Sequence, residues 1–184
     1  MGALVVRDSV FSGNSGSGGA ITYGESESLT IQRTTFDTNT STGRSSAFYG
    51  GAATVLIEDT VWSGNIGSNQ GSALDVGASI PLDIRRNRFL ANTDGVALNL
   101  RAWYAPPPYN IVDTDFEGNV NTQNVAGLYG VVGSPMTISG CKFIDNVGAY
   151  QGGGAHVGNT SLTATTRVED TTFSGNTSLQ GGAA

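Results

Sequence analysis

The residues best suited to chemistry in this sequence are charged side chains that occur close together. The acidic members are Asp113, Asp115, Glu117, Glu169 and Asp170, and the basic members are Arg85, Arg86 and Arg88. Paired carboxylates can act as general acid and base on a glycosidic bond, and clusters of them can bind calcium. A nearby arginine could serve as a base. The pattern is therefore compatible with chemistry on an acidic polysaccharide.

The positions of these charges favour a structural role instead. Three places before a recurring aromatic residue, the first five side chains alternate in sign. This charged column contains Asp8, Arg33, Asp59, Arg86, Asp113, Gly140 and Asp170. On adjacent repeats we expect each carboxylate to lie between guanidinium groups, which would fix the register of the repeats. Because the acidic candidates sit at repeat-equivalent positions that non-catalytic residues also occupy, we predict no catalytic residue and no metal site.

Two other reactive side chains also fit a structural interpretation. One place nearer the aromatic lies a mostly hydroxyl-bearing column: Ser9, Thr34, Thr60, Asn87, Thr114, Cys141 and Thr171. Cys141 is expected to be a small isosteric member of this column. The single histidine, His156, lies at an apolar position of the next predicted strand, and one histidine makes no metal site. We therefore predict no cofactor.

The elements that position these side chains follow a repeat. An aromatic residue precedes an asparagine by three places seven times, and successive aromatics are 25, 26, 27, 27, 27 and 30 residues apart. The aromatics are Phe11, Phe36, Trp62, Phe89, Phe116, Phe143 and Phe173. The asparagines are Asn14, Asn39, Asn65, Asn92, Asn119, Asn146 and Asn176. A period of this length is the signature of a solenoid.

Short strands are predicted within each repeat. Five places before the aromatic every residue is valine or isoleucine, and two places earlier most are apolar. β-Branched residues two apart favour a strand with one buried face. The aromatic begins a second strand, and small residues before an apolar one, as in residues 18–21, begin a third. We predict an all-β fold and one domain over residues 1–184: a single-stranded right-handed parallel β-helix (solenoid) of about seven coils of 25–30 residues, with three short strands per coil.

Inside this tube, like side chains should stack on like. The aromatics would form one ladder. The asparagines would form a second, in which each amide donates to the next coil and satisfies backbone groups of the turns. These fourteen side chains are therefore predicted to be structural.

Two motifs carry a resemblance to a known family. F-x-x-N and G-G-A-[ILV] resemble the repeats of chlamydial polymorphic outer-membrane proteins and of the wider right-handed β-helix family. The first occurs seven times, with Trp62 replacing phenylalanine once, and the second is complete only at residues 18–21. In the named family these repeats form the passenger of an autotransporter and act in adhesion. The resemblance thus implies a surface-exposed, adhesive segment.

The composition of the chain argues against several classes of partner and covalent feature. The net charge of −6 argues against a nucleic-acid partner. No run of about 18 apolar residues exists, so no membrane span is expected. The single cysteine excludes an internal disulfide framework. The chain opens in a strand-like run and stops within a repeat, which predicts a fragment with uncapped ends and a lost targeting segment.

One interruption of the period is a candidate ligand-binding loop. Trp103 and Tyr104 precede three consecutive prolines at 106–108, which stiffen the segment. Exposed aromatic side chains on a rigid loop can anchor a sugar or a protein. Alternatively, Trp103 folds back and covers the solenoid.

These observations predict an extracellular or cell-surface structural or adhesive β-helix segment with no catalysis of its own. A protein or glycan surface partner is compatible with it. One alternative is a polysaccharide lyase or hydrolase, since pectate-lyase-like enzymes share the architecture. Another is a filament subunit that self-associates end to end through its open coils.

Overall fold

The computed structural model describes residues 2–43, 45–67, 71, 73–78, 81–102, 108–161 and 163–180. These residues form strands and turns and contain no helix. Every strand pair joins one coil to the next in parallel, in a solenoid of about six turns. The predicted parallel β-helix fold is confirmed.

The largest sheet has 11 strands and contains both the first and the third strand predicted for each repeat. Its members are β1 (Ala3–Arg7), β4 (Ile21–Gln32), β7 (Phe48–Glu58), β9 (Leu74–Ala78), β10 (Leu82–Arg85), β12 (Leu98–Ala102), β13 (Tyr109–Val112), β16 (Leu128–Val132), β17 (Met136–Ser139), β20 (Ala155–Asn159) and β21 (Thr166–Glu169).

The aromatic strands form a second sheet of seven. They are β2 (Val10–Ser12), β5 (Thr35–Asp37), β8 (Val61–Ser63), β11 (Arg88–Leu90), β14 (Asp115–Glu117), β18 (Lys142–Ile144) and β22 (Thr172–Ser174). A further short element follows each asparagine, and the sequence analysis did not predict it as a strand. It comprises β3 (Ser15–Gly16), β6 (Thr40–Ser41), β15 (Val120–Asn121), β19 (Val147–Tyr150) and β23 (Thr177–Gln180), with isolated bridges at Ile66 and Thr93 between them.

A proline stands at three of the four breaks between the third strand of one coil and the first strand of the next; the break between β20 and β21 has none. In β4 and β7, which span 12 and 11 residues, the third strand of one coil runs directly into the first strand of the next. In later coils the two are separate, and Pro81, Pro108 and Pro135 immediately precede β10, β13 and β17. Proline has no N–H to donate to a neighbouring strand. The inter-coil ladder is therefore interrupted at these corners.

The interior is organised around one stack of rings. Successive aromatics of the seven coils have ring centroids 4.3–5.8 Å apart and planes within 10° of parallel. The rings from Phe36 to Phe143 are fully buried, whereas Phe173 in the last coil is 37% exposed. Stacked aromatic pairs contribute about 0.5–1.5 kcal/mol each beyond their buried area. The stack therefore both fills the tube and holds the coils in register.

Each coil turns twice through a left-handed backbone conformation. The charged column is one such position, with φ between 47° and 66° from Asp8 to Asp170. The second position lies two places after the aromatic, with φ between 49° and 66°. Its members are Gly13, Thr38, Gly64, Ala91, Gly118, Asp145 and Gly175. Glycine and aspartate are the residues that tolerate this conformation best, which accounts for much of both columns.

Candidate functional site

The asparagine column has its hydrogen-bonding capacity used internally. The Asn92 Nδ2 donates to the Trp62 carbonyl and to Asn119 Oδ1, both at 2.9 Å. Its Oδ1 accepts from the backbone N of Asn65 at 3.0 Å and from Asn65 Nδ2 at 2.9 Å. The same four bonds recur at Asn39, Asn65, Asn119 and Asn146. These amides hold the turns together and have little capacity left for a ligand.

The hydroxyl column supports the neighbouring left-handed turn. Thr60 Oγ1 donates to the carbonyl of Glu58 at 3.0 Å, and the Thr60 backbone N donates to Asn87 Oδ1 at 3.1 Å. Cys141 takes the equivalent place, and its Sγ lies 3.4 Å from the Ser139 carbonyl. Burial raises the pKa of the Cys141 thiol to about 11. The thiol therefore stays protonated at neutral pH and is not a nucleophile.

The charged column is joined in pairs rather than as the continuous row that was predicted. Arg33 binds Asp8 through two parallel bonds of 2.7 and 2.9 Å, and Arg86 binds Asp59 with the same two distances. Both forks point back to the preceding coil, and within the described residues Arg33 forms no ion pair with Asp59. The hydrogen bonds from the two arginines lower the pKa values of the Asp8 and Asp59 carboxyls. Arg86 also reaches Glu58 Oε2 at 3.0 Å.

The acidic residues that suggested catalysis are spread over different surfaces. Asp113 lies at the turn, where its carboxylate occupies the space that a side chain at Gly140 would need. Asp115 and Glu117 lie on the outer face of β14, and Asp115 Oδ1 is 3.8 Å from Lys142 Nζ. Asp115 and Glu117 therefore share one exposed face, where Lys142 lies beside Asp115, whereas Asp113 lies apart from them at the turn.

The other members of those groups are engaged separately. Arg85 Nη2 binds Asp83 at 2.8 Å on the outer face of the largest sheet. Glu169 pairs with Arg167 at 2.9 Å on the last coil. Arg88 lies beside Asp115 in register. Arg86 and Asp113 thus occupy equivalent positions on adjacent coils, but the side chains of Arg85 and Arg86 bind Asp83 and Asp59 and not Asp113.

A cleft of about 460 Å³ opens on the outer face of the largest sheet, where the long strand β7 meets the proline-separated β10. Thr30, Thr54, Leu56 and Pro81 line it, together with Glu58, Asp83 and Arg85. All three charged groups already have partners: Arg86 binds Glu58, Arg85 binds Asp83, and Asn110 donates to Asp83 at 2.8 Å. The cleft can accommodate a small neutral polar molecule but offers no free pair of carboxylates.

A buried ion pair lies further along the same sheet, and sequence reasoning missed it. Arg101 Nε is 2.5 Å from Asp75 Oδ1, and the Asp75 side chain is only 3% exposed. The guanidinium carbon lies 4.5 Å from the centre of the Tyr49 ring, and Nη1 donates to the Tyr49 hydroxyl at 3.2 Å. The sequence signal was weak, because Asp75 pairs in register with Tyr49 and Asn99, and Arg101 reaches it from two residues further along β12.

His156 does not occupy the predicted apolar position. Strand β20 pairs with β16 so that Ala155 lies beside Leu128 and His156 beside Tyr129. The motif before this strand is therefore shifted by one residue relative to the other coils. Because adjacent residues of a strand face opposite sides, the shift moves His156 to the outer face. There its ring stacks on Tyr129 at 5.4 Å.

The predicted ligand-binding residues Trp103 and Tyr104 lie outside the described residues. Among the residues that are described, no three or more histidine, cysteine, aspartate or glutamate side chains are grouped so that they could hold a metal ion. The described chain also contains no helix of the length and hydropathy needed to cross a bilayer.

Comparison with known proteins gave no relatives. No protein-family model matches the chain, and neither a curated protein nor a solved structure matches it.

Proposed function

We propose that this chain is an extracellular or cell-surface β-solenoid segment with a structural or adhesive role and no catalysis of its own. The observation that carries the proposal is that the polar and reactive side chains of the repeating columns already have bonding partners within the solenoid. The asparagine amides are bonded to the adjacent coils. The Thr60 hydroxyl and the Cys141 thiol bond to carbonyls two residues earlier in their own coil, and Arg33 and Arg86 bind carboxylates of the preceding coil. The F-x-x-N and G-G-A repeats, which resemble those of surface adhesins, support the same role.

The alternative hypothesis, a polysaccharide lyase or hydrolase, requires a pair of carboxylates placed for catalysis. Acid–base hydrolysis needs two carboxylates facing one bond, about 5–10 Å apart, with one of them able to hold a proton. The candidates Asp113, Asp115 and Glu117 lie at a turn and on an outer face beside Lys142. The cleft has paired charges instead. This arrangement favours the non-catalytic role.

A turnover assay tests the proposal. The native chain and its Asp113→Asn and Asp115→Asn variants are each incubated with acidic polysaccharides, with and without calcium. The new polysaccharide chain ends that cleavage would produce are then quantified. We expect no turnover by any of the three proteins. Turnover that either substitution abolishes would replace this proposal with the lyase or hydrolase. In parallel, beads coated with the folded chain should bind matrix proteins or glycans more strongly than beads coated with heat-unfolded chain.

A further inference from the structure

One corner of the solenoid presents a continuous row of β-branched side chains to solvent. These residues directly follow the ladder asparagines, and parallel pairing joins each to the next coil. The β-branched row consists of Thr40, Ile66, Thr93, Val120, Val147 and Thr177. Ile66 is 43% exposed and Val147 is 38% exposed. Five coil steps of about 4.8 Å make the row about 24 Å long.

The surface beside this row is smooth and partly apolar. The left-handed turn next to it carries small residues in successive coils, Gly64, Ala91 and Gly118. On the other side of the turn, Leu90 and Ile144 lie on the outer faces of β11 and β18 and are partly exposed. Contiguous exposed apolar surface of this kind marks an interaction site more often than isolated exposed residues do.

Charge is segregated around the solenoid. Four acidic residues lie on this corner: Asp37, Asp94, Glu117 and Asp145. None of them forms an ion pair within the part of the chain that the structure describes. The described lysine and arginines lie instead in the charged column, on the outer face of the largest sheet, or at the first position of an aromatic strand. The charged residues nearest to the β-branched row along the chain are therefore acidic, while Arg88 and Lys142 lie further away, at the start of the strands that carry Leu90 and Ile144.

We propose that this corner, along the β-branched row from Thr40 to Thr177, docks an extended basic segment of a partner protein. Its apolar side chains would lie on the β-branched row, and its lysines or arginines would face Asp94, Glu117 and Asp145. An extended chain advances about 3.3–3.6 Å per residue, so about seven residues span the row. A second copy fits poorly, because its own acidic corner would oppose this one. The inference deepens the adhesive part of the proposed function by naming the partner's chemistry.

The probe is a capped synthetic peptide of about eight alternating lysines and valines, matched to the length of the row. Two peptides serve as controls, one with lysine and serine and one with glutamate and valine. Binding to the full chain is measured by fluorescence anisotropy at low and high salt. The lysine–valine peptide should bind most tightly, and its affinity should fall with salt because exposed charges are screened.

Matched variants locate the binding. Neutralising the corner in Asp94→Asn/Glu117→Gln/Asp145→Asn should weaken binding about tenfold, since three exposed ion pairs with the peptide would be lost. The control Asp113→Asn/Glu169→Gln/Asp170→Asn removes equal charge at the opposite turn, where Asp113 and Asp170 also have positive φ. It should change the affinity less than twofold. Ile66→Thr/Val147→Thr should weaken binding several-fold without moving the unfolding midpoint.

Several results would overturn the inference. They are equal weakening by the two triple variants, equal binding of the lysine–serine peptide, or no binding at low salt. Self-association of the chain that disappears in the corner variant would identify a second copy as the occupant, which also contradicts the proposal. A failed peptide experiment leaves the non-catalytic assignment intact, whereas polysaccharide turnover would overturn that assignment and leave the docking result standing.

Discussion

Replacing a central ladder asparagine should destabilise this protein far more than replacing the first one. In Asn92→Ala, the backbone N–H of Asn65 loses its acceptor and the Trp62 carbonyl loses a donor. Both lie in a fully buried part of the turn. A buried polar group left unsatisfied costs about 1–3 kcal/mol, so the free energy of unfolding should fall by about 2–6 kcal/mol.

The matched control is Asn14→Ala in the first coil. The Asn14 side chain makes one described bond, from Nδ2 to Asn39 Oδ1 at 2.8 Å. Asn39 Oδ1 also keeps the bond from the backbone N of Asn14. The expected loss is the net value of one hydrogen bond, about 0.5–1.5 kcal/mol. Urea unfolding followed by far-ultraviolet circular dichroism measures both losses.

A third variant separates hydrogen bonding from side-chain volume. Asn92→Asp keeps the shape but places a carboxylate oxygen against the Trp62 carbonyl and Asn119 Oδ1, where Nδ2 donates in the native chain. It should be at least as destabilising as Asn92→Ala, because a buried charged oxygen that faces two acceptors and no donor is costly. Equal losses in Asn92→Ala and Asn14→Ala, or a native-like Asn92→Asp, would refute the reasoning.

Two further predictions concern the left-handed turn and the buried thiol. Ala91→Gly should raise the free energy of unfolding by about 0.5–1 kcal/mol, because Ala91 has a φ of 49°. Gly118→Ala should lower it by a similar amount, because Gly118 has a φ of 62° and open space for a Cβ. Urea midpoints that move in the opposite directions would contradict this prediction. The Cys141 thiol, with its pKa of about 11, should resist alkylation in the native chain at pH 8 and react readily in urea. Below this pKa, its alkylation rate in the native chain should rise about tenfold per pH unit. Rapid labelling of the native chain at neutral pH would show that the thiol is neither buried nor protonated.

The repeat made most of the fold predictable. An aromatic and an asparagine recur at nearly constant spacing, and equal spacing places equal side chains above one another in a parallel solenoid. Phe36, Trp62 and Phe89 stack as that spacing requires. The strand breaks were harder to predict. Pro81, Pro108 and Pro135 stand at three of these breaks. A proline interrupts the inter-coil hydrogen bonds only where its missing N–H would have faced a carbonyl of the next coil, and the sequence does not show which groups face each other.

The side-chain pairings were less predictable for geometric reasons. Period alone gives the neighbours of a residue but not which neighbour a long side chain reaches, so Arg33 was expected to touch carboxylates on both sides. The left-handed turns had a sequence signal in glycine and aspartate, which fill most positions of the two columns that contain Gly140 and Gly118, although Arg33 and Arg86 interrupt the first. His156 was misplaced because a shift of one residue in the pairing of β20 leaves the motif recognisable while reversing which side its residues face.

The constant 27-residue step from Asn65 to Asn146 has a consequence for how the molecule can vary in length. Recombination between two such repeats would join equivalent points of the backbone. The product would lose or gain whole coils, while the cross-section of the solenoid and the points where each coil begins and ends stayed the same. The reach of the rod is thus a quantity that genetic exchange can adjust in units of about 4.8 Å without redesigning the interior.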